Sequence, residues 1–283
     1  MNLLVSTDWL AAEMGKSDLR IIDATLFLPA PAGSPGRNAR AEFEAAHIPG
    51  AVFFDIEEVS DASNPLPFML PPAEKFASRC QALGLGDGSR IVVYDNSPLK
   101  SAARLWWMLN LFGAHEVAIL DGGFAKWQAE GRPVESGKPI VRHRHFTVWA
   151  DKALVRDMAQ MTDNLRGKAE QVVDARSAAR FAGAEPEARP GVRPGHMPGA
   201  KNIPYTAFYN EDGTFKSPDA IKALFEDAGI DLAKPLVATC GSGITAAVLA
   251  FGAALVGKAN VPIYDGSWSE WGANPHNPVV TGA

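Results

Sequence analysis

The chain has 283 residues, a formal net charge of -5, 47% hydrophobic residues and 21% charged residues. This length and composition are typical of a globular protein with about two domains and a sizeable core. The mild negative charge argues against nucleic acid or an anionic membrane as the main partner. No apolar run reaches the roughly 18 residues that a membrane-spanning helix needs.

The chain has only two cysteines, Cys80 and Cys240, which are too few for a disulfide framework. No group of cysteines and histidines has the spacing of a zinc site. We expect no metal and no organic cofactor, because a reactive cysteine can itself carry a transferred group. Free thiols suit a reducing compartment, and the N-terminal segment lacks the basic region of a signal peptide. These features predict a cytoplasmic protein.

Four short motifs occur twice in the same order, roughly 145 to 150 residues apart. In the first half they are IIDA, HIPGA, IVVYD and LDGGFAKW, which begin at Ile21, His47, Ile91 and Leu120. In the second half they are VVDA, HMPGA, LVATC and YDGSWSEW, which begin at Val172, His196, Leu236 and Tyr264. This agreement predicts two copies of one fold in tandem.

Within each copy, short β-branched strands alternate with helical stretches such as residues 72–83 and 218–228. The alternation is typical of an α/β domain in which helices flank a mostly parallel sheet. We place the first copy at residues 1–135, a linker rich in Gly, Pro and basic residues at 136–150, and the second copy at 151–283. In such sheets the ligand site lies at the carboxyl ends of the strands.

The segment 235–257 predicts a strand, a tight turn and a helix around Cys240. An apolar run ends at the cysteine, small residues follow, and a stretch without charged residues begins at Ile244. The turn lets the N–H groups of residues 241–246 converge on the sulfur, where they and the helix dipole stabilise a thiolate. We therefore predict that Cys240 is a nucleophile.

The first copy lacks this nucleophile. Asp95 stands in the place of Cys240, and Pro98 interrupts the run of loop N–H groups because proline has no amide hydrogen. We predict that the first copy is not catalytic and that it forms one wall of a cleft.

These motifs resemble the two-domain rhodanese-like sulfurtransferases over nearly the whole chain. The loop CGSGITA, from Cys240 to Ala246, is most similar to that of the 3-mercaptopyruvate sulfurtransferases within this family. Thiosulfate-preferring members have a basic pair after the cysteine, whereas this chain has Gly241 and Ser242. The resemblance therefore implies a monoanionic carboxylate as the sulfur donor.

The resemblance also implies which arginines hold the donor. The segment 174–200 resembles the family stretch whose arginines bind the carboxylate and carbonyl, and by position these are Arg180 and Arg189. A planar guanidinium suits a carboxylate. Arg176 and Arg193 lie close in sequence and stay alternatives.

One family position departs from the pattern. Mercaptopyruvate members often have a histidine where this chain has Phe68, although Glu57 keeps the acidic position upstream. The histidine is thought to assist proton transfer in those members. Ser242 and Thr245, on the loop itself, become the candidates for polarising the thiol or passing a proton.

The predicted reaction is a sulfur transfer in two steps. Cys240 takes the sulfur of 3-mercaptopyruvate as a persulfide and releases pyruvate, while the loop N–H groups bind the negative charge. We assign that binding to Gly241, Gly243, Ile244 and Ala246. An acceptor such as reduced thioredoxin, a small thiol or cyanide then removes the outer sulfur.

Three alternatives stay open. The same fold could use thiosulfate as the donor. A cysteine phosphatase or arsenate reductase also uses a thiolate loop, but its loop needs an arginine where Ala246 stands. A non-enzymatic binding module would not need an intact glycine-rich loop behind Cys240.

Overall fold

The computed structural model describes residues 1–30, 33 and 35–282, which divide into two compact units. The first unit consists of Met1–Ser60, Pro71–Ala150 and Glu211–Phe215. The second unit consists of Asp61–Leu70, Asp151–Asn210 and the chain from Lys216 onward. Each half of the sequence therefore contributes one short segment to the unit that the other half mainly forms.

The first unit contains a five-stranded parallel sheet. Its strands are β1 Leu4–Val5, β2 Leu19–Asp23, β3 Ala51–Phe53, β4 Arg90–Tyr94 and β5 Val117–Leu120. They lie in the order β1-β5-β4-β2-β3, and every neighbouring pair is parallel. Strand β4 is buried from Ile91 to Tyr94, as expected for a parallel strand that is covered on both faces.

Helices connect these strands. Within the described residues they are α1 Thr7–Glu13, α2 Ala39–Ala45, α3 Ile56–Val59, α4 Ala73–Ala82, α5 Ala102–Leu111 and α6 Gly123–Ala129. Helices α1, α2 and α6 contribute Leu10, Phe43 and Trp127 to one core cluster with side chains of the sheet. Helix α4 lies where the sequence predicts a helix at residues 72–83.

The second unit repeats this topology. Its strands are β6 Val155–Arg156, β7 Gln171–Asp174, β8 Lys201–Asn202, β9 Leu236–Thr239 and β10 Ile263–Tyr264. They lie in the order β6-β10-β9-β7-β8, again with parallel neighbours, so strands at corresponding places in the two halves occupy the same positions in the two sheets. The predicted fold class, α/β with two parallel-sheet domains, is confirmed.

The α-helices of the second unit are α7 Met158–Gly167, α8 Ala178–Ala182, α9 Pro218–Asp227, α10 Ala246–Leu255 and α11 Ser267–Trp271, with short 3-10 helices at Lys152–Leu154 and Tyr205–Phe208. Helix α10 is buried from Ala246 to Ala253. Its small residues allow close packing, since a methyl group at Gly252 would lie 2.3 Å from Phe208 Cε1.

The start of α10 differs from the sequence prediction by two residues. We predicted a helix from Ile244, but Gly243 has a φ of +80° and Thr245 caps the helix, which begins at Ala246. A residue with a left-handed backbone cannot be part of a right-handed α-helix. The helix therefore begins only after Gly243.

The segment that follows α6 packs along the first unit. Glu135 and His47 form an isolated antiparallel bridge through their backbones. Farther on, Phe146 is buried, and Asp87 accepts hydrogen bonds from the N–H and the hydroxyl of Thr147 at 2.8 and 2.7 Å. None of the helices in the described part of the chain has the length and apolar character that crossing a bilayer requires.

The repeated Asp-Gly turns after β5 and β10 bind segments from the other half of the sequence. Asp121 Oδ1 accepts the N–H of Phe215 at 2.8 Å, within the first unit. Asp265 Oδ2 accepts the N–H of Leu70 at 2.8 Å, within the second unit. Both aspartates therefore bind a distant segment of the chain as well as forming part of a local turn.

Candidate active site

Cys240 directly follows strand β9 in the second unit, and it is 1% exposed. Its carbonyl oxygen accepts the N–H of Trp268 at 2.9 Å, and its own N–H donates to Ser267 Oγ at 3.3 Å. The start of α11 therefore holds the backbone of the cysteine from both sides. The structure therefore places Cys240 at the carboxyl end of a buried strand, as the sequence predicts.

The loop between Cys240 and α10 carries backbone donors that the protein itself leaves unused. Among the described residues, the N–H groups of Gly241, Ser242 and residues 244–246 have no hydrogen-bond acceptor. Donors at the start of a ten-residue apolar helix bind anions, because the helix dipole adds to their partial charge. The loop can therefore stabilise negative charge beside the sulfur.

The corresponding loop of the first unit shows how such donors are satisfied. There the Asp95 carboxylate accepts the N–H of Ser97 at 2.9 Å and the N–H of Ala102 at 2.7 Å. Ala102 begins α5 just as Ala246 begins α10. The loop of the first unit thus binds the Asp95 carboxylate, and Asp95 stands at the position that Cys240 occupies in the second unit.

Ser267 is a site residue that the sequence analysis missed. It is fully buried with a φ of +50°, and its hydroxyl donates to the carbonyl of Tyr264 at 2.8 Å while it accepts from Cys240. The first unit has Gly123 at this place, where a methyl group would lie 2.5 Å from the Asp95 carbonyl oxygen. The sequence signal for Ser267 was the difference between the repeated motifs, which read DGG in the first copy and DGS in the second.

Arg180 lies against the loop. A methyl group at Gly241 would be 3.2 Å from Arg180 Nη2, so the guanidinium borders the residue that follows the cysteine. Nη2 also donates to Glu187 Oε2 at 2.5 Å, while the buried Nε has no hydrogen-bond partner among the described residues. This guanidinium therefore retains capacity to bind a carboxylate near the thiol.

Arg176 is a structural residue. It is 2% exposed, binds both oxygens of Asp174, and donates to Glu187 Oε1 at 2.8 Å and to the Gly195 carbonyl at 2.8 Å. Its guanidinium also stacks 4.4 Å from the ring of Trp268. Arg176 therefore has little left to offer a substrate.

The other two arginines of this segment lie in different surroundings. Arg193 donates to the carbonyls of Gly272, Asn274 and Asn277 at 2.6 to 3.1 Å, and so fastens the C-terminal segment. Arg189 is exposed, and its guanidinium makes no ion pair with any described residue. No hydrogen bond or ion pair of the described residues joins the Arg189 side chain to the cysteine loop.

Ser242 is half-buried and Thr245 is 8% exposed, and neither hydroxyl has a hydrogen bond among the described residues. Tyr205, which the sequence analysis missed, lies near both the thiol and the arginine. Burial raises the pKa of the Tyr205 hydroxyl, the charge of Cys240 adds to the rise, and Arg180 opposes it. Its place just after β8, at the same edge of the parallel sheet as Cys240, was the available signal.

The second cysteine, Cys80, lies in α4 and is fully buried, and burial raises the pKa of its thiol. A thiol that stays protonated is a poor nucleophile. Within residues 1–30, 33 and 35–282, no three His, Cys, Asp or Glu side chains form a group that could hold a metal ion.

The two parallel sheets, with a cysteine loop in one and a carboxylate in the other, are those of a rhodanese-like protein. The sequence matches the rhodanese-like domain family at residues 6–130 and again at residues 157–274, and the chain belongs to this family. The family resemblance predicted from the motifs is confirmed.

Its relatives include sulfurtransferases with both kinds of donor in their names. Human 3-mercaptopyruvate sulfurtransferase is 46% identical over 99% of this chain and 95% of its own length. Thiosulfate sulfurtransferase of Cricetulus griseus is 42% identical over 95% of this chain and 91% of its own length. The crystal structure of the Escherichia coli 3-mercaptopyruvate sulfotransferase SseA has a TM-score of 0.85 and 39% identity, covering 95% of this chain and 99% of that chain.

Proposed function

We propose that the chain is a sulfurtransferase that takes sulfur from 3-mercaptopyruvate and passes it to a thiol or to cyanide. The observation that supports the proposal is that the loop after Cys240 keeps backbone N–H groups without an acceptor among the described residues, while the Arg180 guanidinium borders Gly241. Its similarity to the human mercaptopyruvate enzyme supports the choice of donor.

In the first step, the Cys240 thiolate attacks the sulfur of 3-mercaptopyruvate. The bond between carbon and sulfur breaks, its electron pair passes to the organic fragment, and the resulting enolate of pyruvate takes up a proton. Arg180 holds the substrate carboxylate through its unsatisfied donors, with Arg189 as a weaker candidate because it is exposed. The cysteine is left as a persulfide.

The negative outer sulfur is then held by the N–H groups of the loop. We assign this role to Gly241, Gly243, Ile244 and Ala246, as donors that act where charge develops. The way in which the first unit binds the Asp95 carboxylate supports the assignment.

In the second step, an acceptor thiolate attacks the outer sulfur and the sulfur–sulfur bond breaks. Its electron pair returns to Cys240 as the thiolate, and the acceptor leaves as a persulfide, or as thiocyanate when it is cyanide. Ser242 and Thr245 are the candidates for passing the proton between thiol and substrate. Reduced thioredoxin and small thiols in the cytoplasm are the acceptors that we propose.

We further propose that residues 1–135 form a non-catalytic domain, that 136–150 link it to the next, and that 151–283 form the catalytic domain. A carboxylate cannot carry sulfur as a persulfide, and the Asp95 carboxylate is already bound by two N–H groups of its own loop.

Thiosulfate is the second candidate donor, because a thiosulfate sulfurtransferase is also 42% identical. Against it, no cation follows the cysteine, since Gly241 and Ser242 stand there, and a dianion gains more from added positive charge than a monoanion does.

A paired assay with cyanide as acceptor decides between the donors, with pyruvate followed from 3-mercaptopyruvate and thiocyanate followed from thiosulfate. We expect the mercaptopyruvate reaction to be faster by a factor of about 100 in kcat/KM, which is about 2.7 kcal/mol. Comparable values would refute the proposed donor. Cys240→Ser should abolish both reactions and keep the fold, and residual transfer would refute the persulfide.

Arg180→Ala and Arg189→Ala form a matched pair for the carboxylate. We expect Arg180→Ala to raise KM for mercaptopyruvate at least tenfold and to change thiosulfate use much less. Arg189→Ala should change KM by less than threefold. An equal loss for both donors in Arg180→Ala would mean that this arginine supports the fold.

A further inference from the structure

A cavity of about 560 Å³ lies in the first unit, away from the cysteine loop. One wall comes from strands β2 and β3, and the opposite wall comes from residues 135–144, which follow α6. Gly84, which follows α4, also lines the cavity, and a methyl group there would be 2.9 Å from the carbonyl oxygen of Arg142. The volume is in the range that small-molecule sites usually have.

The lining carries more positive than negative charge. Arg20, Arg142, Arg144 and Lys138 line the cavity, whereas Glu135 is the carboxylate among its lining residues. This excess stands out in a chain with a net charge of -5.

The three arginines of the lining form no ion pair in the described part of the chain, although the charge of Asp18 acts on Arg20. Among the described residues, none of the three makes an ion pair, and Arg20 donates instead to the backbone carbonyls of Gly84 and Ser17 at 2.9 and 3.1 Å. Arg20 also lies close enough to Arg144 for its pKa to fall, chiefly through burial and then through the charge of that second arginine. Two guanidinium groups held near each other, with no carboxylate paired to either among the described residues, favour an anion between them.

Glu135 is already engaged by the protein. Its Oε1 accepts the N–H of Gly50 at 2.7 Å and lies 3.3 Å from His47 Nε2. His47 is 1% exposed, and its Nδ1 is 2.7 Å from the Phe43 carbonyl oxygen. Within the described residues, Glu135 therefore has a backbone donor and an imidazole beside its carboxylate, and it forms no ion pair with the three arginines.

We propose that this cavity binds a small organic anion that carries phosphate or several carboxylates. Guanidinium groups bind both chemistries through paired N–H donors. The site is separate from the sulfur-transfer site that we propose, because its residues come from the first unit and do not include the Asp95 loop.

The test is titration calorimetry of the full chain with pyrophosphate and, separately, with citrate, at fixed ionic strength and without phosphate buffer. Arg142 and Arg144 are both exposed, so the double variant Arg142→Ala, Arg144→Ala should fold. We expect it to lose at least tenfold in affinity for the anion that binds. Arg166→Ala, an exposed arginine on α7, is the matched control and should bind as the unmodified chain does.

Binding of pyrophosphate alone would identify a phosphate ligand, and binding of citrate alone a polycarboxylate. The proposal is refuted if neither anion binds, or if the double variant binds as tightly as the unmodified chain. It is also refuted if Arg180→Ala abolishes the binding, since the anion would then occupy the cysteine site. Sulfur transfer by the double variant should stay within twofold, whatever the donor.

Discussion

Asp23 and Asp174 occupy the same place at the ends of β2 and β7, but their surroundings give opposite predictions. Asp23 is 4% exposed, and its Oδ1 accepts the N–H of Thr25 at 2.8 Å. Thr25 stands where the second unit has Arg176, so no cation balances Asp23. Burial raises its pKa to about 7, and the charge of Asp95 adds to the rise.

This shift makes the first unit less stable as the pH rises. Between about pH 4 and pH 7, the unfolded chain releases the proton of Asp23 while the folded chain keeps it. The free energy of unfolding therefore falls through this range and levels off above pH 7. At 1.36 kcal/mol per pH unit, the whole loss is about 4 kcal/mol, of which about 3 kcal/mol lies above pH 5.

Asp23→Asn keeps the oxygen that accepts from Thr25 and removes the charge. We expect the variant to be more stable than the unmodified chain by about 4 kcal/mol at pH 8 and by about 1 kcal/mol at pH 5. Urea denaturation across pH 5 to 8 measures both. A variant that is less stable at pH 8, or that keeps the full pH dependence, would refute the assignment.

Asp174→Asn is the matched control in the second unit. Both oxygens of Asp174 accept hydrogen bonds from the buried Arg176, so the substitution leaves a buried cation with one partner fewer. We expect a loss of about 3 kcal/mol in the free energy of unfolding. Stabilisation by this substitution would show that the desolvation penalty of the buried ion pair exceeds the attraction between its charges.

Three further substitutions test the second unit. Glu187→Gln removes the charge from the side chain that accepts a hydrogen bond from Arg180. Because charge-assisted hydrogen bonds are the stronger ones, we expect KM for mercaptopyruvate to rise about tenfold, with kcat within threefold. An unchanged KM would exclude a positioning role for Glu187. Ser267→Gly should be more stable in thermal denaturation than Ser267→Ala by about 1 kcal/mol, because the position is left-handed; the reverse order would contradict this. Gly252→Ala should destabilise by about 1 to 3 kcal/mol despite the better helix propensity, because the methyl would clash with Phe208, and a higher melting temperature would disprove the clash.

Local patterns were sufficient to predict much of the fold. The paired motifs indicated two α/β copies, and the apolar run before Cys240 placed the thiol at the end of a buried strand, which the structure confirms. These features depend on residues close in sequence. The family follows from them, and the domain match confirms it.

The site's supporting contacts could not be predicted in the same way. Tyr205 and Ser267 approach Cys240 from other strands, and Glu187 joins Arg176 to Arg180 through side chains alone. Such contacts depend on how strands assemble rather than on any local period. The cytoplasmic location and the thioredoxin acceptor stay predictions.

The segments that bind Asp121 and Asp265 have a consequence for dissecting the protein. A cut after Ala150 would remove the Phe215 N–H from one aspartate and the Leu70 N–H from the other. Asp265 is 4% exposed, and burial already raises the pKa of Asp121, so each loses a donor where water replaces it poorly. The two fragments should therefore fold well only when expressed together, as complementing halves of one enzyme.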